Sequence, residues 1–242
     1  MIETEPPVLK AVFERLSDNS GGYYAGLPFL YDKTTKNYPL IVFLHGAGQF
    51  GDGGLQLPLI LNDGIATLMQ DKKFPSSFRV NGVNYSFVVL TPQFSRYPAN
   101  DEVLAFLSFA RKAYRIDTTR IYLAGLSMGG FVTSDFGAAY PTSVAAIVPI
   151  SGALSSGDIE TRGASIANNN LPVWVFHNLE DPGIHFEGPK LFVSVIERYR
   201  PLVMPKITLF PAFGHDAWSR ALDPGFKEDG RNVYEWMLQY RR

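Results

Sequence analysis

A chain of 242 residues with 46% hydrophobic and 19% charged side chains can bury a sizeable core, which excludes disorder as its ground state. A net charge of −1 without a basic stripe argues against nucleic acid as a partner. The absence of cysteine removes disulfides, cysteine-ligated metal and a thiol nucleophile together, and the longest apolar runs are strand-sized, so no membrane span is expected.

At the start, Glu3, Glu5, Pro6 and Pro7 stand where the apolar segment of an export signal would be needed. Residues 1–7 are therefore expected to form a flexible segment. The expected location is the cytoplasm, or a secreted or periplasmic one if an export signal ahead of Met1 has been removed. Residues 9–16 and 23–31 read as two strands around the turn formers of 17–22, giving an antiparallel edge. Short apolar runs then recur at 40–44, 87–90, 121–124, 145–150, 173–176 and 207–210, rich in Val and Ile with little polar alternation, as in strands buried on both faces. Between them lie helical spacings: Val103, Phe106, Leu107, Ala110 and Tyr114, then residues 131–140 closed by Pro141, then 192–199 and finally 233–240. This alternation predicts an α/β fold of one domain over residues 1–242. Its sheet should be mostly parallel, with about eight strands and helices on both faces. The short connection over 153–171 leaves no room for a large lid.

The run Gly125-Leu126-Ser127-Met128-Gly129 follows one of the buried strands and opens a helical segment. A G-x-S-x-G there forms a sharp strand-to-helix turn that exposes the serine Oγ above the sheet, with glycines where a Cβ would clash. Ser127 is the candidate nucleophile, and the amide of Met128 faces an oxyanion at the helix start. A serine needs a base, and there are four histidines: His45, His177, His185 and His215. Chain order in hydrolases that use this turn runs serine, acid, histidine, which removes His45 and favours His215, in a loop after the last strand. His177 reads as closing a strand end, and His185 is a weaker pocket candidate. The acid should follow the strand at 173–176, where Glu180 and Asp181 both qualify; Asp216 adjoins His215 too closely in sequence to reach its ring. Upstream, His45-Gly46-Ala47-Gly48 supplies a second oxyanion donor, the amide of Ala47, with His45 supporting the loop.

These segments resemble a known group. Leu44-His45-Gly46-Ala47-Gly48, Gly51-Asp52-Gly53-Gly54, Thr91-Pro92-Gln93, residues 117–123, Gly125–Gly130, Pro149-Ile150-Ser151-Gly152 and Gly214-His215-Asp216-Ala217-Trp218 are similar to α/β-hydrolases of the feruloyl/acetyl-xylan esterase, polyhydroxyalkanoate depolymerase and "predicted peptidase" cluster. In that group a His-Gly-x-x-Asp segment carries the triad acid. His177-Asn178-Leu179-Glu180-Asp181 matches it at both ends, which selects Asp181, while Asn178 replaces the usual glycine. The resemblance implies hydrolysis of small-molecule or polymeric carboxylic esters through a Ser127–Asp181–His215 triad, with no cofactor and no metal. The open readings are feruloyl, acetyl, short-chain and polyester substrates.

Among the aromatics expected near the catalytic edge (Phe50, Phe94, Tyr97, Phe186, Phe213 and Trp218), Phe50 and Trp218, together with Gln93, are the candidate substrate-binding residues. A serine peptidase with the same triad and a catalytically silent binding domain on the same fold are the competing readings. Nothing in the sequence selects an oligomeric state.

Overall fold

The structure, a computed structural model, describes residues 3–153 and 158–242. Strands β1 (Val8–Val12), β2 (Ser20–Leu27) and β3 (Tyr38–Leu44) are followed by helix α1 (Ile65–Gln70) and a small hairpin of β4 (Phe78–Val80) and β5 (Val83–Tyr85). Then come β6 (Val88–Phe94), α2 (Asn100–Ala113), β7 (Ile116–Leu126), α3 (Met128–Ala139), β8 (Ala146–Ile150) and α4 (Ile159–Asn168). The chain continues through β9 (Trp174–Glu180), α5 (Glu187–Arg198), β10 (Lys206–Phe213), α6 (Trp218–Ala221) and α7 (Val233–Met237). The main sheet has eight strands in the order β1-β2-β6-β3-β7-β8-β9-β10. β1 and β2 run antiparallel to their neighbours and the remainder are parallel, as the strand–helix alternation predicts.

Strand geometry explains why two cores form. Every residue of β3 is buried, and successive side chains point to opposite faces. Leu40, Val42 and Leu44 join one cluster, with Val103, Phe106, Leu107 and Ala110 of α2 and Val132 and Phe136 of α3. Ile41 and Phe43 join the other, with Ile65 and Met69 of α1 and Tyr234 and Trp236 of α7. β7 repeats the division, with Ile121 and Leu123 on the first face and Tyr122 and Ala124 on the second. Truncating a fully buried aromatic such as Phe136 costs about 3–5 kcal/mol.

Several boundaries differ from the sequence reading. β1 stops at Val12 because the chain turns where Leu16 N–H donates to the carbonyl of Ser20 (2.9 Å). α3 starts at Met128 rather than 131, because Gly130 and Phe131 N–H already donate to the carbonyl of Ser127 (2.9 and 3.1 Å). Within the segment over residues 1–7 that is expected to be loose, Glu3 is buried and accepts from Leu30 N–H (2.9 Å). Residues 1 and 2 of that segment lie outside the described residues, as do residues 154–157 of the connection expected to hold no lid. That connection carries α4, whose Gly163 lies so close to α5 that a Cβ would meet Val195 at 2.4 Å. Among the described residues no helix is long and apolar enough to cross a membrane.

Candidate active site

β7 ends at Leu126, α3 begins at Met128, and Ser127 makes the whole turn between them, with φ 51° and ψ −116°. A non-glycine residue in the left-handed region carries strain on the order of 1–3 kcal/mol, so the surroundings must hold it there. They do so by close packing. A Cβ on Gly125 would lie 2.4 Å from the carbonyl oxygen of Gly129, and one on Gly129 would lie 2.1 Å from that of Leu44. The amide of Ser127 also donates to the carbonyl of Ile150 at the end of β8 (2.8 Å).

His215 follows β10 at the same edge of the sheet. Its Nε2 stands 2.8 Å from Ser127 Oγ and its Nδ1 stands 2.6 Å from Asp181 Oδ2. The His215 side chain is 32% exposed, whereas that of Asp181 is fully buried, so the imidazole faces solvent and the carboxylate does not. Asp181 Oδ1 accepts from the amides of Gly183 (2.8 Å) and Ile184 (3.0 Å). Burial pulls the Asp181 carboxyl upward, but the bonds from His215 and those two amides outweigh it and hold the group below the usual carboxylate range. An ionised acceptor at Asp181 fixes a proton on His215 Nδ1 and leaves Nε2 free to accept from the serine. Glu180, the other acid considered, is exposed at the end of β9. His177 is fully buried and donates from Nε2 to the carbonyl of Ile184 (2.8 Å), which braces the turn carrying Asp181.

The loop after β3 turns through a short 3-10 helix, Ala47–Gln49. Gln49 Oε1 accepts from Gly46 N–H (3.0 Å) and its amide donates to the carbonyls of Leu59 and Ile60 (3.1 and 3.2 Å). His45 is buried; Nδ1 donates to the carbonyl of Gly46 (2.7 Å) and Nε2 accepts from Phe94 N–H (2.9 Å). That pairing requires the neutral Nδ1–H tautomer, and burial pushes the His45 pKa down to about 4 against the opposing bond to Gly46. Ala47 and Ser127 line one cleft of about 230 Å³ with His215 and Trp218. The amide of Met128, first in α3, has no intrahelical acceptor.

Residues 98–223, just over half of the chain, match the phospholipase/carboxylesterase family, and the matched span contains Ser127, Asp181 and His215. The chain belongs to that family. It is also 28% identical over 158 residues to a bifunctional acetylxylan esterase/xylanase of Neocallimastix patriciarum, covering 65% of this chain and 21% of that protein. The chain thus spans about a fifth of the length of the curated relative it matches. Among solved structures, a thermostable esterase superposes with a TM-score of 0.65 at 24% identity, over 98% of this chain and 64% of that one. A fluorophosphonate-binding serine hydrolase of Staphylococcus aureus gives 0.68 at 15% identity, over 96% and 99%. The feruloyl esterase module of Clostridium thermocellum, in complex with sinapinate, gives 0.64 at 14% identity, over 89% and 84%. These likenesses carry the α/β-hydrolase fold.

Two expected substrate-binding residues of this carboxylesterase-family chain lie elsewhere. Gln93 is fully buried at the end of β6, and its amide is committed to loop backbone: Nε2 donates to the carbonyls of Gln49 (3.0 Å) and Gln56 (2.8 Å), while Oε1 accepts from Gly53 N–H (2.9 Å). It braces the loop after β3 from behind and presents nothing to the cleft. Phe50 packs half-buried against the core with its ring edge-on to His45 (5.8 Å). Of the aromatics expected at the edge, Trp218 alone, among the described residues, lines the cleft; Phe94 is core and Phe213 is 78% exposed. The indole stands edge-on to the His215 ring (5.3 Å), and its Nε1–H donates to Asp63 Oδ1 (2.9 Å). Trp218, with Asn62 and Asp63, also lines a second cavity of about 580 Å³. Asp63 carries no motif that sequence reading could use, because its partner is 155 residues away.

Proposed function

We propose that this chain is a carboxylic ester hydrolase acting through an acyl-enzyme, with Ser127 as nucleophile, His215 as base and Asp181 as the acid that orients it. Ser127 Oγ attacks the ester carbonyl carbon while its proton passes to His215 Nε2. The tetrahedral oxyanion takes hydrogen bonds from the amides of Ala47 and Met128. The C–O bond to the alcohol then breaks as His215 returns the proton to the leaving oxygen. Water, deprotonated by the same Nε2, releases the acid by the reverse sequence.

The observation that carries this reading is the unbroken run of hydrogen bonds from Ser127 Oγ, on a serine held at φ 51°, through His215 to a buried carboxylate. We take residues 1–242 as a single catalytic domain. Substrates are plant-cell-wall-type feruloyl or acetyl esters, short-chain esters or polyesters. The acetylxylan esterase relative supports the first group, and a cleft of about 230 Å³ favours a small acyl group on the serine side. A bulkier acid has to reach past Trp218.

Ser127→Ala should abolish turnover of p-nitrophenyl acetate and covalent labelling by a fluorophosphonate probe while leaving Tm nearly unchanged. Turnover at the wild-type rate in that variant removes the assignment. A panel of feruloyl, acetyl-sugar, short-chain and polyester substrates then ranks the substrate classes.

A further inference from the structure

Three consecutive carbonyls around His215 are each held by a buried side chain from another strand end. Asn178, 2% exposed in β9, donates from Nδ2 to the carbonyls of Gly214 (2.9 Å) and Asp216 (3.2 Å). Ser151, fully buried just after β8, donates from Oγ to the carbonyl of His215 itself (2.8 Å). Backbone bonds complete the frame, with Gly214 N–H on the carbonyl of Glu180 (3.1 Å) and Ala217 N–H on that of His215 (3.0 Å). The loop would otherwise be soft, since it leaves β10 through Gly214 at φ 102°.

Neither side chain is explained by its own backbone. Ser151 sits at φ 51°, where glycine would be unstrained, and Asn178 occupies the position that holds glycine in the His-Gly-x-x-Asp pattern. In both places a polar side chain stands where local conformation or family pattern favours none, and both converge on one loop. The contacts fall on the peptide units before, at and after His215, so they fix the Cα–Cβ direction of that residue without touching its ring.

We infer that Asn178 and Ser151 are positioning residues that set the distance from His215 Nε2 to Ser127 Oγ. The inference rests on the ester-hydrolase reading above. Loop slippage of about an ångström lowers a proton-transfer rate by up to about a hundredfold while leaving ground-state binding alone.

Ser151→Gly separates positioning from plain stabilisation, because it removes the hydroxyl and relieves the strained φ together. Asn178→Ala and the double variant complete the set. With p-nitrophenyl acetate, Ser151→Gly should keep or raise Tm and hold KM within about twofold, yet lose about tenfold or more in kcat. Asn178→Ala should lose at least as much kcat. The double variant should lose less than the product of the two, since both act on the same loop. Fluorophosphonate labelling of Ser127 should slow in step with kcat. Unchanged kcat in Ser151→Gly, or kcat losses that only follow Tm across the set, overturns the positioning role. A wild-type protein inert to both ester and probe instead overturns the hydrolase reading on which it rests.

Discussion

The loops after β3 and β10 stand at the same edge of the sheet, and each carries a histidine beside a glycine, but they treat the ring in opposite ways. Around His45 both ring nitrogens are bonded to backbone, Nδ1 to Gly46 and Nε2 to Phe94. Around His215 the backbone is held instead, through the carbonyls of 214, 215 and 216, and both ring nitrogens face side chains, Nδ1 the carboxylate of Asp181 and Nε2 the hydroxyl of Ser127. The first histidine is a rivet, and on the proposed mechanism the second is a reagent. Which atoms the surroundings engage decides the role, and residue type alone does not.

The sharpest way to break this contrast is at the partner of the second ring. Asp181→Asn should cost about 10³–10⁴ in kcat, because an amide no longer fixes the Nδ1–H tautomer, while Glu180→Gln on the exposed strand end should leave kcat within about twofold. Steady-state kinetics on one ester compares the two, and the reverse ranking would move the acid to Glu180. Next comes the brace behind the first loop. Gln93→Leu leaves Gly53 N–H and the carbonyls of Gln49 and Gln56 without their partner, so denaturant unfolding should show a loss of about 3 kcal/mol. A loss near zero would mean that the loop holds itself.

A smaller effect belongs to His45 itself. Its folded pKa of about 4 lies below the ordinary value near 6.5, so between those values the unfolded chain binds a proton that the folded chain refuses. That contribution is complete above about pH 6.5 and is lost as pH falls toward 4, up to about 3 kcal/mol. His177, also lowered by burial, acts with the same sign. His45→Gln should therefore flatten the dependence of stability on pH in that window, and an unchanged slope refutes the buried-neutral assignment. The smallest effect lies at the cleft wall. Asp63→Ala frees the indole of Trp218, and the preference between acetyl and bulkier acyl esters should move about fivefold, the worth of one hydrogen bond. An unmoved preference would show that the wall stands without it.

The sequence made the sheet legible where strands are buried on both faces, because their apolar runs have no other use. The runs at 40–44 and 121–124 sit inside β3 and β7. α1 and the β4–β5 hairpin escaped because each is too short for a periodic signal. The strand-to-helix turn at Ser127 is legible from its flanking glycines, since close backbone approach leaves a compositional trace. Gln93 was misread because a polar residue at a strand end can face the cleft or the core, and only the path of the distant loop 49–56 decides which. Asn178 and Ser151 were noticed as a departure from a pattern and as part of a motif. Their shared target, more than 30 residues away for each, has no local signature.

The place of Trp218 has an optical consequence. Trp174 is sealed in the core and Trp236 nearly so, which leaves the indole at 5.3 Å from the His215 ring as the one that lines the proposed catalytic cleft. On the proposed mechanism the acyl group on Ser127 Oγ enters the cleft that this indole lines, so acylation should change the emission of one fluorophore, which stopped flow reads without a label.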